Sequence, residues 1–324
     1  MLGAAGEETM MRRAIAPLIA IALGLTMSGV AVAGDPTVET VASFDAAKGE
    51  LPEGLAITDR GVTYVGFAPT GQIVKVADDG STSPVATLPR GQGFLVGLAV
   101  DGRGRLFAAL ASFDETTHGI WRVRSDGSAK RVVPLPTNAF PNAIAFRGRS
   151  MFVTDSFGGA VWRIRNGHAR IWAQDDILLG DTTTDLPIGA NGLAFFGRYL
   201  YVSNTQKGRI VRIPVESGGR AGSPVLLAED DAIVGADGIA FDVRGNLYVA
   251  VNEQDKLVRM GPSGGMQTLA THADGLDFPA TLIFGERPQH RTDLFLTNFA
   301  LDLDRHPNPA LLVLDVGVAG KRLP

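Results

Sequence analysis

The chain has 324 residues, no cysteine, 40 glycines, 18 prolines and a formal net charge of −4 at pH 7. Without cysteine it forms no disulfide and no thiolate site, and the small negative charge with scattered Lys and Arg argues against nucleic acid as a partner. The length would allow two domains, but all-β propellers of this size are commonly one domain.

The first 33 residues have the pattern of a targeting segment. Arg12 and Arg13 precede an apolar stretch, residues 14–29, and Ala31-Val32-Ala33 has the small-x-small form of a signal-peptidase site. We therefore predict a signal peptide over residues 1–33 and a secreted or periplasmic mature chain, residues 34–324, with no stable membrane insertion. An uncleaved membrane anchor is the alternative interpretation of this stretch.

A short phrase recurs six times in the rest of the chain. Each copy opens with a small or turn-forming dipeptide and continues as an apolar run, and a second, more aromatic run follows it. The six openings are residues 52–57, 95–100, 141–146, 190–195, 236–241 and 279–284. They begin 43, 46, 49, 46 and 43 residues apart. A repeat of this length is typical of a β-propeller with one blade per repeat.

The repeats also indicate how the ring of blades closes. Each contains short runs rich in β-branched and aromatic residues, which predict four strands per blade. Only five repeats are followed by a fourth run, so residues 38–44, ahead of the first repeat, are predicted to form the outer strand of the last blade. The sequence therefore predicts an all-β, six-bladed β-propeller, closed by an N-terminal strand, in a single domain.

The second position of each opening distinguishes four repeats from the other two. Four repeats carry Glu53, Asn142, Asn191 and Asp237 there, whereas the other two carry Val and Ala. The first strand of each propeller blade lines the central channel, so these four side chains are predicted to meet at one mouth. Two carboxylates and two amides, without His or Cys, favour Ca²⁺, with Mg²⁺, Mn²⁺ and Zn²⁺ as alternatives. A wet channel mouth without metal is the competing interpretation.

Several motifs carry a resemblance to a known family. They are Pro52-Glu53-Gly54, Phe140-Pro141-Asn142, residues 190–195 and Ala236-Asp237-Gly238. Over residues 37–315 the chain resembles the senescence-marker-protein/gluconolactonase family of calcium-dependent six-bladed propellers, whose relatives include diisopropylfluorophosphatase and the paraoxonases. In that family a Glu, two Asn and an Asp from the equivalent blades surround the catalytic metal, and all four residue types are present here.

The resemblance implies a metal-dependent lactonase or esterase, with phosphotriester hydrolysis as a further option. The metal would polarise the substrate carbonyl, and Asp237 would act with a metal-activated water as general base or nucleophile. A secreted, non-catalytic propeller that binds a ligand or protein, with calcium in a structural role, is the alternative from another functional class.

One departure from the family pattern bears on the substrate. Sugar-lactone members place an Arg two residues before the Asn of the third blade, whereas this chain has Phe140, and Phe94 and Phe278 occupy the same offset on two other blades. An apolar rim predicts a less hydroxylated lactone, an aryl ester or a phosphotriester as substrate. Packing of these rings between blades is the alternative interpretation.

Other polar residues follow second strands or lie in the longer loops of the same face. Asn204 and Asn252 are candidate substrate contacts, and they and their neighbours Ser156 and Thr205 could instead be partners of the metal ligands, although turn formation is the commoner role of Asn in such places. His118 and His306 lie in two longer loops and are expected to be surface histidines, with a general base of the paraoxonase kind as the alternative. The predicted partner is thus a small-molecule lactone or ester.

Overall fold

The computed structural model describes residues 36–322, and its strands form six four-stranded antiparallel sheets. Regular structure in this range otherwise consists of short 3-10 helices. The predicted six-bladed β-propeller is therefore confirmed. The predicted signal peptide, residues 1–33, lies outside the described residues, and the division of the whole chain into signal peptide and single domain stays a prediction.

Each blade is a meander of four strands. The first blade contains β2 (Pro52–Ile57), β3 (Thr63–Phe67), β4 (Gln72–Val76) and β5 (Thr82–Thr87). The second contains β6 (Phe94–Val100), β7 (Leu106–Ala111), β8 (Gly119–Val123) and β9 (Ala129–Pro134). The third contains β10 (Pro141–Arg147), β11 (Ser150–Asp155), β12 (Ala160–Arg165) and β13 (His168–Gln174). The fourth contains β14 (Ala190–Phe196), β15 (Tyr199–Asn204), β16 (Arg209–Pro214) and β17 (Val225–Glu229).

The last two blades follow the same plan. The fifth contains β18 (Ala236–Phe241), β19 (Leu247–Val251), β20 (Lys256–Met260) and β21 (Met266–Ala270). The sixth contains β22 (Pro279–Phe284), β23 (Asp293–Asn298), β24 (Ala310–Asp315) and β1 (Val38–Ser43). The 3-10 helices are Ala46–Lys48, Asp176–Leu178, Ser217–Gly219, Asp231–Ile233, Asn252–Gln254, His272–Asp274, Pro288–His290 and Leu303–Arg305. Among residues 36–322 we find no helix with the length and apolarity that a membrane crossing requires.

The sixth blade combines strands from both ends of the described chain. Strand β1 pairs antiparallel with β24, so that Val38 lies opposite Leu314 and Ser43 lies opposite Ala310. This is the position expected for residues 38–44. The first strands of successive blades contact one another around the ring, and β22 contacts β2 to complete it.

The hydrophobic core is distributed over the interfaces between blades. Between the third and fourth blades, for example, Phe152 meets Phe195 edge-on at a centroid distance of 5.1 Å. Near the channel the first strands approach still more closely, since a Cβ placed on Gly192 would lie 2.3 Å from the carbonyl oxygen of Asp237. This close approach brings the second positions of the repeat openings into one ring.

Candidate functional site

The central channel contains a cavity of about 130 Å³, lined by the first strands of all six blades. Asn142, Asn191 and Asp237 line this cavity where β10, β14 and β18 begin. Lys321 and Arg322 line it beyond the other ends of the strands. Three of the four candidate ligands thus converge at one end of the channel.

The fourth candidate, Glu53, is buried next to Asp237. Its side chain lies outside the lining of the cavity. Burial raises the pKa of Glu53 well above its usual range, and the neighbouring charge of Asp237 raises it further. Burial also raises the pKa of Asp237 to about 7, although a hydrogen bond from Asn252 acts in the opposite direction. Two adjacent buried carboxylates require either a proton or a cation between them.

Three of the candidate ligands are held by a residue that follows the second strand of the same blade. The contacts are Asn142 Nδ2 to Ser156 Oγ (3.2 Å), Asn191 Nδ2 to Thr205 Oγ1 (2.9 Å) and Asn252 Nδ2 to Asp237 Oδ2 (3.1 Å). In both asparagine contacts the amide nitrogen is the bound atom. The amide oxygen is therefore the atom left to face another partner.

Two oxygens of the candidate set are buried without a hydrogen bond. Within the described range, Glu53 Oε2 and Asn191 Oδ1 have no partner. A buried acceptor without a partner carries a desolvation cost of roughly 1–3 kcal/mol. A hard divalent cation prefers carboxylate and amide oxygens of this kind, so these residues fit Ca²⁺. No cluster of three or more His, Asp or Glu suited to a metal occurs in residues 36–322. The candidate set itself contains only two acidic residues, since its other two members are asparagines.

The three phenylalanines predicted to form an apolar rim lie in different surroundings. Phe94 is 37% exposed, Phe140 is buried and Phe278 is half-buried. No ring contact within the described residues joins any two of them. Phe140 instead packs against Phe113 and Phe157. Phe140 thus belongs to an aromatic cluster on one side of the mouth, and a rim formed by Phe94, Phe140 and Phe278 stays a prediction.

We call Phe113, Phe140 and Phe157 the apolar wall. The ring centroids of Phe140 and Phe157 are 4.9 Å apart, and Phe113 stacks on Phe157 at 6.3 Å with an interplanar angle of 14°. Val96, at the second position of its own repeat opening, belongs to the same cluster. Sequence reasoning did not single out Phe113 and Phe157 because they lie outside the repeated phrases. The available signals were the position of Phe113 in the longer loop that ends at His118 and the position of Phe157 after Ser156.

His118 is fully buried, so the expectation of a surface histidine is wrong for this residue. The loop folds back on itself, with His118 N donating to Asp114 O (2.7 Å) and Phe113 N donating to His118 Nδ1 (3.2 Å). Burial lowers the pKa of His118. His306, in contrast, is exposed as expected.

The two candidate asparagines have separate roles. Asn204 is fully buried, and its Nδ2 donates to Ile177 O (3.1 Å) and Leu179 O (2.8 Å). Because all of its surface is covered, we assign it to holding this loop instead of contacting substrate. Asn252 touches Asp237 and thus belongs to the surroundings of the candidate ligands.

Comparison with known families supports the resemblance seen in the sequence. The model of the SMP-30/gluconolactonase/LRE-like region matches residues 181–299. This segment includes Asn191 and Asp237, two of the four candidate ligands. The resemblance predicted from motifs is thus confirmed in the part of the chain that contains the fourth, fifth and sixth repeat openings. No curated protein matches the chain.

Solved structures share the propeller fold at low sequence identity. A luciferin-regenerating enzyme is 15% identical, with a TM-score of 0.68 and coverage of 89% of this chain and 98% of that one. A gluconolactonase from Xanthomonas campestris is 18% identical, with a TM-score of 0.65 and coverage of 87% and 90%. The calcium-binding protein regucalcin from Agrobacterium tumefaciens is 16% identical, with a TM-score of 0.64 and coverage of 85% and 93%. At these identities the similarity shows the fold alone, so the reaction must be argued from the site.

Proposed function

We propose that this chain is a calcium-dependent hydrolase of the lactonase or esterase type. The observation that carries the proposal is the convergence of Asn142, Asn191 and Asp237 at one end of the channel, with Glu53 buried beside Asp237. Within the described range, Glu53 Oε2 and Asn191 Oδ1 are buried and unpartnered. The family match over residues 181–299 supports lactone chemistry, and the name of the similar regucalcin supports calcium.

Glu53, Asn142, Asn191 and Asp237 would hold the ion. When bound, Ca²⁺ supplies a Lewis acid that polarises the substrate carbonyl. Asn252 binds Oδ2 of Asp237 and so fixes the orientation of the carboxylate, which would accept a proton from a water positioned for attack. Asp237 is itself buried, which limits the access of bulk water to its carboxylate. Direct attack by the carboxylate of Asp237 is the other route that this geometry allows.

The apolar wall bears on the choice of substrate. Phe113, Phe140 and Phe157 present stacked aromatic surface beside the candidate ligands, and this surface offers no hydrogen bond to sugar hydroxyls. We therefore propose a less hydroxylated lactone, an aryl ester or a phosphotriester as the substrate. Phe113→Ala should raise KM for aryl esters more than it raises KM for gluconolactone, and equal effects on both would contradict this preference.

The experiment that tests the function is a hydrolysis panel of lactones, aryl esters and phosphotriesters, run with calcium and with EDTA. We expect turnover of at least one class that EDTA abolishes and added calcium restores. Thermal unfolding should be measured in the same buffers. A calcium-dependent melting temperature with no hydrolysis of any class would instead favour the non-catalytic binding module with structural calcium.

We also propose that residues 1–33 are removed as a signal peptide and that the protein is secreted or periplasmic. The proposal rests on the residue pattern alone. Intact mass measurement of the protein recovered from an expressing cell should give a chain that begins at Gly34. A full-length mass in the membrane fraction would instead indicate an uncleaved anchor.

A further inference from the structure

Two hydroxyl groups that contact the candidate ligands have their protons committed elsewhere. Ser156 Oγ donates to Ala190 O (2.7 Å), and Thr205 Oγ1 donates to Ala236 O (2.9 Å). A hydroxyl has one proton, so each of these oxygens acts only as an acceptor toward the neighbouring asparagine. The partner atom must then be the amide nitrogen, and the amide oxygen is turned away from the hydroxyl.

Asn252 is fixed in a similar way. Its Oδ1 accepts a hydrogen bond from Glu253 N (2.7 Å), and this identifies Nδ2 as the atom that faces Asp237 Oδ2 at 3.1 Å. At 3.1 Å from Oδ2, the Nδ2 group of Asn252 donates to that oxygen of Asp237 and not to Oδ1. One oxygen of Asp237 is thereby held, and the other is directed elsewhere.

These polar partners occur only on blades whose repeat opening carries a polar residue. The strand register defines the partner position on each blade. The residue just before the second position of the repeat opening pairs with the residue just before Ser156, Thr205 or Asn252. On the second blade Leu95 pairs with Leu110, which places Ala111 in the partner position of Val96. On the sixth blade the same register places Phe299 opposite Ala280. The apolar blades thus have apolar pairs, as expected if the polar partners serve the asparagine and aspartate ligands. On the first blade Pro52 pairs with Phe67, so Ala68 takes the partner position and Glu53 has no polar partner of this kind.

We propose that Ser156, Thr205 and Asn252 are positioning residues that turn the ligand oxygens toward the cation site before the cation arrives. This inference rests on the proposed function, because it concerns the same metal site. Without the acceptor hydroxyl, an asparagine amide is free to rotate and to present its N–H₂ group, which repels a cation. The unpartnered, buried Asn191 Oδ1 is the atom that this arrangement directs toward the site.

The same hydroxyls connect adjacent blades. Ser156 belongs to the third blade and Thr205 to the fourth, but each donates to the carbonyl that precedes the ligand of the next blade. Loss of the Thr205 hydroxyl therefore frees the amide of Asn191 and also removes a bond beside Asp237. One substitution thereby affects two ligands on different blades.

The test is the calcium dissociation constant of the full chain, measured by isothermal titration calorimetry with calcium alone. Thr205→Val keeps the shape of the side chain and removes its hydroxyl, and we expect calcium affinity to fall by about 10- to 100-fold. Ser156→Ala should weaken binding in the same direction. Thr205→Ser restores the hydroxyl and should bind calcium nearly as the unmodified chain does.

Ser112→Ala is the matched control. Ser112 is also a buried serine near the channel mouth, but its hydroxyl accepts from Thr117 Oγ1 (2.8 Å) and lies on the blade that carries Val96. It should leave calcium affinity unchanged even if it lowers the melting temperature. Circular dichroism of each variant without calcium separates loss of folding from loss of binding.

The outcomes distinguish failure of the metal assignment from failure of the positioning role. If the unmodified chain binds no calcium, the metal assignment in the proposed function is wrong and the positioning role is lost with it. If the unmodified chain binds calcium but Thr205→Val and Ser156→Ala bind it as tightly as Ser112→Ala, only the positioning role is overturned. Should Thr205→Val fail to fold, the comparison of Ser156→Ala with Ser112→Ala decides the question.

Discussion

Asp237 and Asp242 are two buried carboxylates of the fifth blade with different surroundings. Asp237 faces Glu53 and the channel, whereas Asp242 accepts hydrogen bonds from Arg244 N (2.8 Å) and Asn246 N (2.9 Å) in the turn after β18. Residue type and burial alone therefore do not distinguish a ligand from a turn residue. The distinction lies in which partners already satisfy the oxygens.

We predict that replacing each of these two carboxylates by an amide affects a different property of the protein. Asp237→Asn should preserve the fold and lower the turnover number by about 10²- to 10⁴-fold, because it removes the proposed proton acceptor and one of the two negative charges of the site. Asp242→Asn should lower the melting temperature and leave calcium affinity intact. Steady-state kinetics, calorimetry and thermal unfolding of both variants check this, and unchanged turnover in Asp237→Asn would remove it from its role.

His118 leads to a prediction about pH. Its Nδ1 accepts a hydrogen bond from Phe113 N, so protonation of the ring breaks the contact that supports the apolar wall. Burial lowers the pKa of His118 in the folded chain, so the stability that it contributes is present above its unfolded pKa of about 6.5 and is lost as pH falls through the folded value.

The melting temperature, measured in excess calcium, should therefore fall as the solution is acidified below about pH 6.5. His118→Gln, which has no titrating ring, should show a smaller fall over the same range. An identical pH profile for both proteins would mean that other groups control the acid response.

At the scale of the strands, the close approach of neighbouring blades depends on glycines in the repeat opening. A Cβ at Gly54 would lie 2.5 Å from Val96 O, and one at Gly192 would lie 2.3 Å from Asp237 O. The glycine of one blade thus packs against the second position of the next. This contact sets the diameter of the ring in which the candidate ligands lie.

Gly192→Ala should therefore push β14 away from β18. We expect a loss of about 1–3 kcal/mol of unfolding free energy together with weaker calcium binding, since the displaced strands carry Asn191 and Asp237. Chemical denaturation with and without calcium checks this. Gly102→Ala is the control, because a Cβ there meets nothing within 4 Å, and an equal loss in both variants would contradict the steric explanation.

For the whole propeller, stability depends on closure of the ring by β1. Ala42 is buried with Leu55 and Val65 in the core between the sixth and first blades, and β1 covers the edge of β24. An uncovered β24 would present unpaired backbone groups and Leu312 to the solvent or to another chain. The candidate site depends on this closure because Glu53 lies on the first blade.

A chain that begins at Phe44 should accordingly unfold at a lower temperature, aggregate more readily and bind calcium weakly. A chain that begins at Thr37 retains all of β1 and serves as the control. Thermal unfolding and size-exclusion chromatography of the two proteins provide the measurement. Equal stability of the two chains would show that β1 is dispensable for closure.

Much of the architecture was readable from the sequence because a propeller blade is a local unit. Each blade is formed by consecutive strands, so the repeat period predicted six blades, and the missing fourth run predicted a strand before the first repeat. The same alignment identified Glu53, Asn142, Asn191 and Asp237 as equivalent positions. Local repetition allowed these residues to be grouped although they are far apart in the chain.

The tertiary structure decided what local repetition does not encode. The orientation of the Asn142 and Asn191 amides depends on hydroxyls whose protons bind the next blade, and that contact exists only once the blades pack. The burial of His118 and the stacking of Phe113 on Phe157 depend on how loops fold back over the mouth, where the repeat pattern ends. Sequence alone therefore determined which residues form the ring, and packing between blades determined which atoms they turn toward it.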